Sequence, residues 1–362
     1  MSGLTLIYNL SDTLYTYKLG STILTPQLAT EMPTVSEDGL TYTIPIREGV
    51  TFHDDTPFNA EAMAFSLDRF MNNGGKPSFL LSDTINTVEA TGEYELTITL
   101  KEPFSAFPAL LAFPGACAVS PQAYEVGEGQ FIPDNLVGTG RYQLSNFATD
   151  SVQLDVFENY WGEKPENKGI DLQIYPSNQA NLFNSFRTQA VDVAYQSLTP
   201  EQVLQLQEEA DSGNGQVIEN PGTAIAFMAL NVQTDFVKQK PVRQAIASVM
   251  DRQLLNERIL KGQGEPLYSM IPVAFDASKP VFKELYGDKD KEAAKKLLQE
   301  ASFSANNPAT VEIWHSYGSV NTSQVAAILK SLAQRDLEGM LEFVPNSIAS
   351  AAFFKNLSQG LY

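Results

Sequence analysis

The sequence predicts an α/β protein of more than one structural unit, and three observations carry that expectation. Segments in which apolar and polar residues alternate, as at 40–46, 93–101, 152–157 and 341–344, are interleaved with stretches of helical apolar spacing, as at 60–70 and 289–300. The chain has 362 residues, enough for two or three units that each bury a core. Hydrophobic residues make up 43% and charged residues 19%, the balance of a chain that folds rather than one that stays disordered.

The net charge of −19 sets the sequence against nucleic acid and anionic membrane surfaces, which would repel it. The single cysteine, Cys117, lies in an apolar neighbourhood and reads as a structural thiol, with no partner for an internal disulfide. No apolar run approaches the roughly 18 residues that a spanning helix needs. The opening MSGLTLIYNLSD lacks a charged n-region and a small-residue cleavage site; for an exported protein, the expectation is that such a segment has been removed or was never included.

Taken in order, residues 4–14 read as a helix tail running into a short strand. In DGLTYTIPIREGVTFHDDTPFNAEAMAFSL, residues 38–67, Leu40, Tyr42, Ile44 and Ile46 mark one face of a strand, and Pro45 predicts an edge position or a bulge. Val50 and Phe52 form a second apolar piece. HDDTP is a turn in which Asp55 tolerates a positive φ if the turn demands one. Asn59 is an N-cap, and Met63, Leu67 and Phe70 form the helical stripe that ends at NNGG. Residues 76–85 are a loop whose Phe79, Leu80 and Leu81 either anchor it or face a ligand. A strand follows with Leu96, Ile98 and Leu100 inward, then an apolar helix over 107–113. Ser120-Pro121 reads as a capped helix start.

The word VGTGRYQL, residues 137–144, predicts a tight turn feeding a strand. A phosphate loop is disfavoured there, because no Gly-Lys-Ser/Thr and no helix start follow. Strands are expected over 152–157 and 170–176, a helix over 177–189 with Leu182, Phe186 and Ala190 on one stripe, a short strand over 191–195, and a helix capped by Thr199-Pro200. An apolar strand over 224–231 and the helical word KPVRQAIA come next. The charged amphipathic helix over 289–300 has Ala293, Leu297 and Leu298 inward. Strand 311–314, helix 325–334, strand 341–344 and helix 349–359 complete the chain.

These words together resemble the peptide/nickel-class, or oligopeptide-type, solute-binding proteins of ABC importers. The resemblance rests on residues 38–67, on VGTGRYQL, on Asn159-Tyr160-Trp161, on KPVRQAIA with Asp251-Arg252, on GQGEP and on KEAAKKLLQEASF, and it covers nearly the whole chain. Five positions depart from the family words: Asp55, Ala190 and Ser302 stand where glycine is usual, Arg141 where proline is usual, and Met32 where an aromatic residue is usual and a packing role is expected.

The resemblance implies a two-lobed α/β fold of the periplasmic-binding-protein type (type II, class C) with an extra subdomain. Lobe I would comprise 1–15 and 141–229, the subdomain 16–140 and lobe II 230–362, with both ends of the family domain missing. It implies a monomeric extracytoplasmic receptor, periplasmic or lipid-anchored, that passes a peptide or similar small solute to an ABC permease, with no cofactor and no nucleic-acid partner. A fragment or protein-interaction module that has lost ligand binding is the alternative.

Of the two histidines, His53 and His315, neither belongs to a metal-binding or hydrolase motif, and no paired carboxylates mark a glycosidase, so an enzyme is disfavoured. Loop or strand-end positions make Phe79, Leu80, Tyr195, Gln196, Trp314 and Tyr317 candidates to line a ligand site. Arg141 is either an exposed surface cation or the partner of a ligand carboxylate.

Overall fold

The computed structural model describes residues 3–130, 132, 134–175, 179–195, 198–219, 222–316 and 320–362. The chain divides into two compact units, Met1–Asn181 and Leu182–Tyr362.

The first unit opens with α1 (Gly3–Leu10), followed by the antiparallel pair β1 (Tyr15–Tyr17) and β2 (Leu24–Pro26). Its main sheet is built from β3 (Thr34–Val35) and β4 (Thr41–Pro45), then α2 (Ala60–Asn72), α3 (Phe79–Ser82), β5 (Ile85–Gly92) and β6 (Glu95–Leu100). The sheet order is β3-β4-β6-β5, antiparallel throughout. Tyr42, Ile44, Leu96, Ile98 and Leu100 enter the core from one face, while Thr41, Thr43, Thr97 and Thr99 take the other. This is the expected alternation, but β4 is an inner strand. Pro45 is tolerated because β3 pairs only with Tyr42 and Thr43, so no ladder bond is wanted at residue 45 on that side.

Asn59 caps α2 by accepting a hydrogen bond from the Ala62 N–H at 3.0 Å. Met63 and Leu67 are fully buried on its inner face, each stabilising the unit by about 2 kcal/mol. The HDDTP turn does demand a positive φ, and Asp55 supplies it at +62°. Leu81 anchors the loop after α2 in the core.

The remainder of the unit contains α4 (Phe107–Leu110) and the antiparallel sheet β7 (Tyr142–Phe147), β8 (Ser151–Val156) and β9 (Gly169–Gln173). The expected helix over 107–113 stops at Leu110. The expected helix at 120–124 is a turn, because the Ser120 hydroxyl donates to Asp54 at 2.6 Å while accepting from the Gln122 N–H. Met32 is exposed rather than packed.

Beyond α5 (Gln179–Arg187), on which Phe183 rather than Phe186 is the buried residue, the second unit contains α6 (Pro200–Asp211), closed at its start by a reciprocal Thr199–Gln202 capping box. Then come α7 (Lys240–Val249), α8 (Arg252–Ile259), α9 (Val281–Tyr286), α10 (Lys291–Glu300), β10 (Ala309–Ser316), α11 (Val320–Asp336), β11 (Leu341–Ile348) and α12 (Ser350–Ser358). Strands β10 and β11 pair in parallel across α11, a βαβ crossover. They pack with α7, α10 and α11 around Val242, Ile246, Leu298, Leu332 and Phe343.

Two expected strands are not formed. Residues 224–231 have no ladder partner among the described residues; Met228 and Leu230 lean on the core and Phe227 stays exposed. Residues 191–195 follow a turn with Gln189 at φ +58°, and Val193 points outward. The start expected at Ser177 lies outside the described residues.

Helix α10 ends with Ser302 at φ +66° and the Phe303 N–H bonded to the Leu298 carbonyl. Ser302→Gly removes a left-handed penalty and is expected to raise stability by about 0.5–1 kcal/mol in chemical denaturation.

Candidate functional site

The tightest junction of the first unit forms where the chain leaving α1 meets the Gly138-Thr139-Gly140 turn. The Gly140 N–H donates to the Leu10 carbonyl at 3.1 Å. A Cβ at Gly140 would sit 2.5 Å from the Asn9 carbonyl oxygen, and one at Gly138 would collide with Leu10 and Ser11. Close backbone approach, not an unusual φ, is therefore why this word needs glycine.

His53 clamps the same turn from the other side. Its backbone N–H donates to the Gly138 carbonyl at 2.9 Å. Its Nδ1 accepts from the Gly138 N–H at 3.3 Å, which places the ring proton on Nε2, 3.0 Å from the Gly140 carbonyl. The ring also packs edge-on against Phe157. Burial lowers the His53 pKa from its ordinary value, only partly offset by the Gly140 carbonyl. Beside it, burial acts to raise the Asp54 carboxyl, but hydrogen bonds from Ser120 and Thr56 outweigh burial and hold it below the usual range.

Asp12 is the centre of the junction and is only 4% exposed. Its Oδ1 accepts from Gln27 Nε2 at 2.6 Å, and its Oδ2 accepts from Trp161 Nε1 at 2.9 Å and from the Thr139 hydroxyl at 3.1 Å. Burial pushes the carboxyl up to about 6, against the pull of Trp161, Thr139, Arg141 and Tyr160. Tyr160 and Trp161 stand side by side, ring centroids 5.4 Å apart. The Arg47 guanidinium lies 4.5 Å from the Trp161 ring and that of Arg141 lies 5.7 Å from the Tyr160 ring. Arg141 is exposed, so the junction presents a cation to solvent on a rigid aromatic base.

Elsewhere in this unit Phe79 is 56% exposed at the start of α3, with Leu80 half-buried beside it. In the second unit Trp314 lies near the C-terminal end of β10, half-buried, its Nε1 donating to Glu312. Tyr362 stacks between Trp314 and Phe353, with centroid distances of 4.9 and 5.6 Å. Tyr195 is exposed but does not end a strand, because none forms there. Gln196 and Tyr317 lie outside the described residues. The sequence reading missed Asp12, Phe353 and Tyr362. Cys117 is buried and its thiol is pushed up to about 11 by burial, the state of an unreactive core cysteine. Among the described residues no three His, Cys, Asp or Glu side chains are grouped to hold a metal, and no helix is long and apolar enough to cross a membrane.

With this geometry in hand, the chain can be placed among known proteins. A profile of the bacterial extracellular solute-binding proteins, family 5 (middle), matches residues 24–337, and the chain belongs to that family. It is similar to the glutathione-binding protein GsiB of Salmonella typhi, 31% identical over 298 residues, which are 81% of this chain and 56% of the relative. The chain thus spans little more than half the length of that relative. Its fold is that of NikA from Brucella suis in complex with Fe(III)-EDTA, at a TM-score of 0.79 and 20% identity over 99% of this chain and 73% of NikA. Haemophilus influenzae OppA in complex with RPPGFSPFR gives a TM-score of 0.77 at 20% identity, over 99% of this chain and 74% of OppA. The α/β solute-binding-protein fold expected from the sequence is the fold these comparisons show.

The clamp has a pH signature. A histidine whose folded pKa is lowered binds fewer protons folded than unfolded, so its contribution is complete above its ordinary value of 6.5 and is lost as pH falls below it. The melting-temperature gap between the native chain and His53→Gln is therefore expected to narrow as pH drops from about 7.5 to about 5.

Proposed function

We propose that this chain is the solute receptor of an ABC importer, and that it binds a peptide or similar small solute bearing a free carboxylate and delivers it to the permease. The observation that carries this reading is the family match across residues 24–337. Glutathione, EDTA and the peptide RPPGFSPFR, named for its relatives, all carry carboxylates, and Arg141 offers an exposed guanidinium on a fixed base. Binding rather than turnover is the activity, and the receptor works as a monomer outside the cytoplasm, periplasmic or lipid-anchored, without nucleic acid.

In this reading Phe79, Leu80, Arg141, Tyr195, Gln196, Trp314 and Tyr317 line the solute site, the aromatic residues offering flat apolar area and Arg141 the charge. Lobe I comprises 1–15 and 141–229, the extra subdomain 16–140, and lobe II 230–362. A second reading, a protein-interaction module, draws on the exposed apolar side chains of Val193, Ile218, Phe227 and Val232.

Calorimetric titration against di- and tripeptides, their C-terminal amides and nickel–histidine complexes tests the proposal. Saturable one-to-one heat is expected, with Arg141→Ala weakening the free acids about tenfold or more and the amides little. Absence of binding across the panel, with self-association that Phe227→Lys abolishes, would favour the interaction module.

A further inference from the structure

We propose that Asp12 is a proton-operated latch for the junction that carries Arg141. Ionised, it holds Gln27, Thr139 and Trp161; protonated, it becomes a donor itself, accepts more weakly from them and loses its pull on Arg141.

The argument is one of donors and acceptors. Gln27 Nε2, Trp161 Nε1 and the Thr139 hydroxyl all donate to the two carboxylate oxygens. Trp161 N–H can only donate. The amide of Gln27 is pinned in its orientation, because its carbonyl accepts from the Thr13 N–H at 3.1 Å. A proton added to Asp12 therefore finds no acceptor on the Trp161 N–H or the Gln27 amide N–H, and only the hydroxyls of Thr139 and Tyr160, both hydrogen-bonded to the carboxyl, can turn to receive it. If Thr139 turns, its hydroxyl, which already accepts from the Asp12 N–H at 3.2 Å, gives up its own donation to the carboxylate. The groups that face the carboxyl from the packed segments are Arg141 after the glycine turn, Tyr160 and Cys117, with Arg47 across the Trp161 ring and His53 on the far side of the turn. With burial opposing the negative charge, Asp12 titrates near pH 6, within the range an extracytoplasmic protein meets.

The effect on solute affinity rests on the proposal that Arg141 meets the ligand carboxylate, but the latch can be read without any solute. Nitrogen-15 spectra of the chain carry two indole N–H resonances, from Trp161 and Trp314, assigned with W314F. The Trp161 resonance is expected to move through one transition with a midpoint within about one unit of pH 6, and to lose that transition in Asp12→Asn. Thr139→Val removes a donor to the carboxylate and shifts the midpoint upward, which tests the latch even if Asp12→Asn fails to fold. A Trp161 resonance that stays still between about pH 5 and 7.5, or that moves equally in Asp12→Asn, overturns the proposal. Failure to bind any peptide would count against the receptor reading alone, since the spectra decide the latch independently.

Discussion

The first unit depends on two backbones touching. Where the Gly138-Thr139-Gly140 turn crosses the chain leaving α1, no side-chain atom fits between them. That contact brings Leu10 carbonyl, His53 ring and Asp12 carboxylate within hydrogen-bond reach of one three-residue turn. Buried backbone groups must find partners, and here they find them across segments far apart in sequence. Trp161 is tied to the turn through Asp12, which receives its indole N–H. Arg141, the residue directly after the turn, inherits its position from this packing.

The same junction explains why so acidic a chain keeps an isolated cation on display. The Arg141 guanidinium lies over a tyrosine ring, next to a buried carboxylate, and makes no direct ion pair among the described residues. The second unit contributes a different chemistry, the aromatic stack of Trp314, Tyr362 and Phe353 near the ends of a parallel strand pair.

What was legible in the sequence was what short-range physics decides. The Asn59 cap, the inward faces of 42–46 and 96–100, the Thr199-Pro200 helix start and the tolerance of Asp55 for a positive φ all depend on neighbours within a few residues. Departures came where a distant partner decides. Residues 224–231 have a strand's composition, but no strand among the described residues pairs with them. Ser120 looks like a cap, yet its hydroxyl belongs to Asp54, 66 residues away. Asp12 gives no local sign of its role, because its donors Thr139 and Trp161 are 127 and 149 residues downstream. The glycines of the GTG word were visible, but their cause was a contact with the other end of the unit, not the turn itself.

The central claim, that this family 5 chain holds a solute without transforming it, is tested most directly by native mass spectrometry of the purified protein after incubation with a mixture of short peptides. The account predicts a single adduct per chain, at the mass of an intact peptide, that is lost for peptides lacking a free carboxylate. A spectrum without adducts, or one in which peptides disappear into products of altered mass, would contradict it.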